Sequence, residues 1–345
     1  MGQPGRLVAA LLLGALNMPL ATAQAEDNPT TARSSAMGQE ALYNALLDAL
    51  YATFGQHAGF RVAHAKGILV QGTFVATRSA PQVSRALHFQ GGVIPVRVRF
   101  SNFSGLPGTR DGDPTASPHG LAIRFSLPDG QSTDIVAHSF NGFPVATAQD
   151  FLGFLQGIAA SVATPPDPAP LAGFLAGHPR ARQFLDAPKP APRSYISTEY
   201  FGVNALEFSN LDGERRMGRY RIEPLIDEPA LSDEQAAAMP DDYLQDELAT
   251  RLGKGPAKIR LVLQLAAPGD GVEDGSIPWS RTNQEVELGI LTLDRLIPPA
   301  AQQAEQQRLD FNPGRLPDGI APSADPMIEA RQGIYERAMD RRRQP

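Results

Sequence analysis

The chain has 345 residues, 42% of them hydrophobic, enough for one large domain or two modest ones with a sizeable core. Its formal net charge is -6 and no basic patch with interleaved aromatics occurs, so nucleic acid is not an expected partner. With no cysteine, the chain has no means to form disulfides, zinc–thiolate sites, Fe–S clusters or thioether-attached cofactors.

At the N-terminus, Arg6 precedes the mostly apolar stretch 8–20, followed by Ala21-Thr22-Ala23 and Ala23-Gln24-Ala25 as small-residue cleavage sites. This predicts a secretory signal peptide over 1–25, and with it a periplasmic or secreted protein; an uncleaved anchor is the alternative. No later run of about 18 apolar residues predicts a membrane span in the mature form. Residues 26–36 read as a polar linker. Leu42, Leu46, Leu47, Leu50 and Phe54 then recur at helical spacing, predicting an amphipathic helix over 37–54. From Gly59 the period changes. Segments 67–77, 95–101, 119–127 and 133–138 read as strands between Gly, Pro and Asp turns, with Pro128-Asp129-Gly130 as a hairpin-type turn. Helical spacing returns over 149–160, and 171–185 predicts another helix between proline-rich connectors at 165–170 and 187–193. Strands are predicted at 195–208, 217–224, 259–266 and 285–293, with a helix at 241–252 among them. The 32 glycines and 31 prolines suit this many turns. The fold class is α+β: an antiparallel β-barrel over about 59–300 with added helices, in one domain over 37–345.

The last element carries the most chemistry. Asp325 suits an N-cap and Pro326 a first helical turn, predicting a helix over 325–342. On it, Ile328, Arg331, Tyr335, Met339 and Arg342 share one face. A tyrosine between two arginines is an odd core stripe but a sensible way to hold a phenolate, which can ligate haem iron. His64, among small residues in 61–67, reads either as an ordinary core or surface histidine or as a general acid/base held neutral. On the strand 97–101, Arg97, Arg99 and Ser101 share a face; they are either solvated or, for Arg99, anion-binding.

Together, 61–67, 98–101, Asp134-Ile135-Val136, and Arg331-x-x-x-Tyr335 after 319–323 resemble the haem catalase family, in family order over roughly 55–345. The short length resembles the catalase-related peroxidase subgroup, which keeps the haem barrel without large C-terminal regions. The resemblance implies non-covalent haem b. It implies His64 as distal acid/base, Ser101 as the hydroxyl that sets its tautomer, and Tyr335 as iron ligand with Arg331 keeping it ionised. It also implies Arg61, Arg99 and Arg342 as propionate ligands and Phe151 and Phe154 as pocket walls. The substrates implied are hydrogen peroxide or organic hydroperoxides with a small organic electron donor, in a monomer or homodimer. An exported, non-catalytic haem carrier is the alternative, and a haem-free barrel for a small apolar ligand is a third reading. Two positions depart from the family: Ser139, preceded by His138, stands at the expected asparagine, with Asn141 nearby, and Asn204 replaces a histidine.

Overall fold

The computed structural model describes residues 38–343. The leader and linker expected over 1–36 lie outside them. The strands are β1 (Gly67–Ala76), β2 (Val93–Ser101), β3 (Gly120–Ser126), β4 (Ser132–His138), β5 (Tyr200–Phe201), β6 (Leu206–Ser209), β7 (Arg215–Pro224), β8 (Ala257–Leu265), β9 (Glu285–Leu296) and β10 (Ile320–Pro322). Antiparallel pairing runs β1-β2-β3-β4-β5-β7-β8-β9 and returns to β1, closing an eight-strand barrel; β6 and β10 extend from β7. The longer helices are α1 (Gln39–Phe54), α2 (Ala148–Val162), α3 (Ala169–Gly177), α4 (Pro179–Asp186), α5 (Tyr243–Lys254), α6 (Pro299–Arg308) and α7 (Pro326–Arg343).

Alternation in the strands separates two faces. Val70, Val98, Ile123 and Ile135 pair across β1 to β4 and belong to the barrel core with Phe74, Phe100 and Phe125. The next row, Leu69, Arg99, Ala122 and Val136, faces outward. Leu69, Ala122 and Val136 pack there with Leu309 and Phe311 from the chain after α6. Buried Asp134 anchors that chain: its carboxylate accepts from Arg124 at 2.8 and 2.7 Å, from Arg315 and from the Asn312 amide at 2.8 Å. The chain then enters α7, which packs on α1. Gly333 makes this approach possible, since a Cβ there would lie 2.4 Å from the Tyr43 ring.

Three departures from the sequence expectation have physical causes. The single helix expected over 171–185 is two, because Pro179 drives His178 out of helical geometry, to φ -128 and ψ 77. The strand expected over 195–208 is broken. It starts as a 3-10 turn, Tyr195–Ser197, whose ring stacks on Phe100 at 5.2 Å, and leaves only the two-residue β5 and four-residue β6. Helix α6 has no signal in the sequence, since it has no buried residue and hence no apolar stripe. It docks through glutamine side chains: Gln302 bonds both the N–H and the C=O of Leu69, at 3.0 and 2.8 Å.

A buried ionic network holds the approach to β1. Lys66 pairs with Asp111 and with Asp242, both at 2.7 Å. Asp111 also accepts from Asn102 at 2.8 Å and from the Leu244 amide at 2.9 Å, and Tyr195 donates to Asn102 at 3.0 Å. Asp111→Ala should lower stability by about 3–5 kcal/mol in urea unfolding, because the buried ammonium keeps only the more exposed Asp242.

His88 is an apolar-core residue, 3.9 Å from the Phe89 ring centroid and 4.9 Å from that of Phe125. Burial lowers its pKa from 6.5 to about 3. The unfolded chain therefore binds a proton that the folded chain refuses, so this contribution is complete above about pH 6.5 and is lost as the pH falls toward 3. His88→Leu should flatten the acid side of the stability profile by about 1.4 kcal/mol per pH unit near pH ~5, read from urea midpoints.

Candidate active site

One row of the sheet builds the site. Gly67, Ser101, Gly120 and His138 are successive partners across β1 to β4, so their side-chain positions project to one face. Gly120 leaves a gap in that row, and the His64 ring fills it. A Cβ on Gly120 would lie 2.7 Å from His64 Nδ1 and 2.7 Å from Ser101 Oγ. Ser101 Oγ lies 3.2 Å from His64 Nδ1. His64 itself has φ +56, a left-handed backbone that a non-glycine residue adopts only when its surroundings impose it. Here its N–H donates to Phe103 O at 2.8 Å, the next amide donates to Ser104 O at 3.0 Å, and its own carbonyl accepts from Arg99 Nη2 at 2.9 Å. Burial, then Arg99 and the neighbouring His138, His119 and Arg61, lower the His64 pKa to about 3. The ring is neutral at pH 7. It still keeps some accessible surface. A group so desolvated and yet partly open faces a recess rather than bulk water.

Arg61, Arg99 and Arg342 converge beside that recess. Arg61 donates to Gln306 O at 3.2 Å and Leu309 O at 2.6 Å, and Arg342 to Gln307 O and Leu309 O, both at 3.2 Å. Arg99 donates to the Gln306 side chain at 2.8 Å. All these acceptors are neutral. No carboxylate pairs with the three among the described residues, and the nearby Asp310 is taken by Arg124 and Arg315, each at 2.5 Å. Burial and mutual repulsion lower Arg99 to about 9 and Arg61 well below its usual value. Three guanidiniums held together without an acid form a site for an anionic group.

Helix α7 supplies the other components. Asp325 Oδ1 caps it, accepting from the Met327 amide at 2.9 Å. Asn204 bridges Asp325 and Arg331: Nδ2 donates to Asp325 Oδ2 at 2.7 Å, and Oδ1 accepts from Arg331. Arg331 lies 5.8 Å from the centroid of the Tyr335 ring, one turn on. Tyr335 is near enough to Arg61, and Arg331 to His138, for the charges to be felt.

The structure thus brings His64 to Ser101 and Arg99, sets Arg61 within electrostatic reach of Arg99, Arg342 and Tyr335, and lays Arg331 beside Tyr335, while Ala122 and Val136 remain partly open on the same outer face of the sheet. Phe151 is partly exposed and lies 5.0 Å from Phe143, itself 6.5 Å from His138. Phe154 packs as part of an ordinary helix stripe: it is buried among Val145, Leu175 and Ala181 and packs α2 on α3 and α4. The Ser139 hydroxyl accepts from the His119 amide at 2.8 Å, and the preceding His138 stands in the row. Gln306, which orients Arg99 and bonds Gly67 O at 3.1 Å, had no signal in the sequence because a polar helix gives its glutamines no pattern. This donor set fits haem: unpaired guanidiniums for two carboxylates, a phenol beside a cation for iron, and an apolar surface for a flat ring.

The catalase family model matches residues 21–344. A catalase-related peroxidase of Mycolicibacterium paratuberculosis is 38% identical over 292 residues, covering 84% of this chain and 91% of that protein. A catalase-related peroxidase of Synechococcus elongatus is 33% identical, covering 86% and 87%. Among solved structures, a fungal catalase superposes with TM-score 0.73 at 22% identity, over 96% of this chain and 67% of its own. A bacterial catalase gives 0.72 at 20%, over 97% and 69%. These last two share the fold. Barrel, recess and sequence agree that this chain belongs to the catalase family.

Proposed function

We propose that this chain is a haem peroxidase that reduces hydrogen peroxide or organic hydroperoxides with a small organic donor and retains weak catalase activity. The observation that carries the reading is the neutral His64 ring, bonded at Nδ1 to Ser101, in the same recess as three guanidiniums without acids. The family supports haem as the cofactor, and the absence of cysteine favours its non-covalent b form. The relatives that match over most of their length support peroxidase use over rapid disproportionation. The leader over 1–25 favours a periplasmic, antioxidant role.

Bound haem supplies the redox chemistry. Arg61, Arg99 and Arg342 would bind its two carboxylates, which would relieve the repulsion among the three guanidiniums. Tyr335 would ligate the iron, with Arg331, fixed by Asn204, lying against its ring. With Nδ1–H donating to Ser101 Oγ, the His64 lone pair sits at Nε2. That atom would accept a proton from the peroxide and return it to the same molecule, while a bound haem would supply the two electrons that O–O cleavage to water requires, to be replaced by the donor.

Protein reconstituted with haem should show a Soret band and turn over peroxide faster with an aromatic donor than without; no haem uptake would overturn the reading. Tyr335→Phe should remove the phenolate-to-iron charge-transfer bands, and an unchanged spectrum would exclude Tyr335 as ligand. His64→Ala should slow reaction with peroxide by about 10²–10⁴-fold in stopped flow while haem stays bound, and equal rates would exclude His64 as the base.

A further inference from the structure

The chain has seven tyrosines and one tryptophan, the side chains that give up a single electron most readily in a protein without cysteine. Five of the tyrosines, Tyr43, Tyr195, Tyr200, Tyr220 and Tyr243, are at most 7% exposed, and Trp279 is 4% exposed, donating to Gly271 O at 2.9 Å. Tyr335 is assigned to iron. Tyr51, in the last turn of α1, is the one that remains, and it is partly open to solvent. Its place is fixed by the pairing of α1 with α7. Gln39 donates to Glu329 at 2.7 Å, Arg337 lies 5.2 Å from the centroid of the Tyr43 ring, and Arg341 donates to Asp48 at 2.6 Å. The two helices thus run side by side, and Arg341 lies 5.7 Å from the centroid of the Tyr51 ring. Arg342 is close enough that its guanidinium and the Tyr51 phenol each feel the other's charge. Tyr51 therefore stands beside an arginine that would hold a haem carboxylate, while part of its own surface meets solvent.

We propose that Tyr51 is an electron-entry site, which relays electrons one at a time from a reductant that does not enter the recess to the haem edge held by Arg342. This deepens the haem-peroxidase reading and rests on it. The oxidant is bound haem from which peroxide has taken two electrons. In each relay the Tyr51 phenol passes one electron inward and releases its O–H proton to water, leaving a neutral phenoxyl radical. The reductant then gives one electron to that oxygen, which takes a proton back from water. Two such relays return both electrons. Burial raises the Tyr51 pKa above its usual 10 despite Arg341 and Arg342, and Asp48 adds to the rise, so the phenol holds its proton at pH 7. The neighbouring guanidiniums penalise a cation radical, and loss of the proton removes that charge. The same cations select the reductant. Arg341, Arg342 and Arg343 end α7, and among the described residues only Arg341 has a carboxylate partner, Asp48. This surface therefore attracts an anionic aromatic reductant.

The test uses the full chain reconstituted with haem. Peroxide is added with a spin trap and no donor, and the trapped radical is located by peptide mass spectrometry. Turnover is then read with ABTS, a bulky aromatic disulfonate. The parent should carry the trap on Tyr51, and added salt should slow its ABTS turnover. Tyr51→Phe should keep the Soret band, lose the adduct and oxidise ABTS at least about tenfold more slowly. Tyr51→Trp, which restores an oxidisable ring, should stay within about threefold of the parent. A parent with no adduct at Tyr51, ABTS turnover indifferent to salt, a Phe variant as fast as the parent, or a Trp variant as slow as the Phe variant would overturn the assignment. If a variant does not fold, the adduct site in the parent decides alone. A parent that takes up no haem would remove this assignment together with the haem reading, whereas a parent that binds haem and traps its radical elsewhere would remove only this one.

Discussion

A one-residue slip between β2 and β3 would carry Arg99 and Ser101 into the barrel core and turn Val98 and Phe100 outward. The site exists only because that register holds. It sets Ser101 and His138 two strands apart in one row and leaves glycine between them, where the His64 ring lies. The register is specified from the other side of the sheet, where Val98, Phe100, Ile123 and Ile135 fill the barrel interior. Burial of apolar side chains thus fixes the position of polar ones that contribute nothing to the core.

The arginines follow a different logic. Their backbone-carbonyl partners fix geometry but leave the charge unneutralised, and burial makes that charge unfavourable. The barrel, the Asp134 anchor and the α7–α1 contact hold the cluster together against this repulsion. A dianion entering the recess therefore meets an arrangement formed before it arrives, so little ordering entropy is lost on binding. Stability spent on repulsion in the empty protein becomes affinity in the loaded one.

Much of this was legible in the residue order. Alternation in 97–101 separates Arg99 and Ser101 from the core, and helical spacing sets Arg331, Tyr335 and Arg342 along α7. The His64 loop could be found only through its resemblance to a family, because a lone histidine among small residues has no period. Other features depend on contacts far apart in sequence. The Gln306–Arg99 bond spans 207 positions, and Phe154 faces a helix pair whose break at Pro179 decides what it touches. His138 was visible as a departure from the family pattern, but its place in the row followed only from the pairing of β3 with β4.

Where β9 ends at Leu296, the Leu69 C=O on β1 still accepts from the Ile297 amide at 3.0 Å, but the Leu69 N–H has no backbone partner on that flank. Gln302 answers it with one primary amide, whose oxygen accepts from that N–H while its nitrogen donates a second bond to the Leu69 C=O, as a neighbouring peptide would. A side chain thus imitates one rung of a missing strand. The imitation covers the short stretch of β1 that β9 does not reach, so a helix with no buried residue completes the closure of the barrel there.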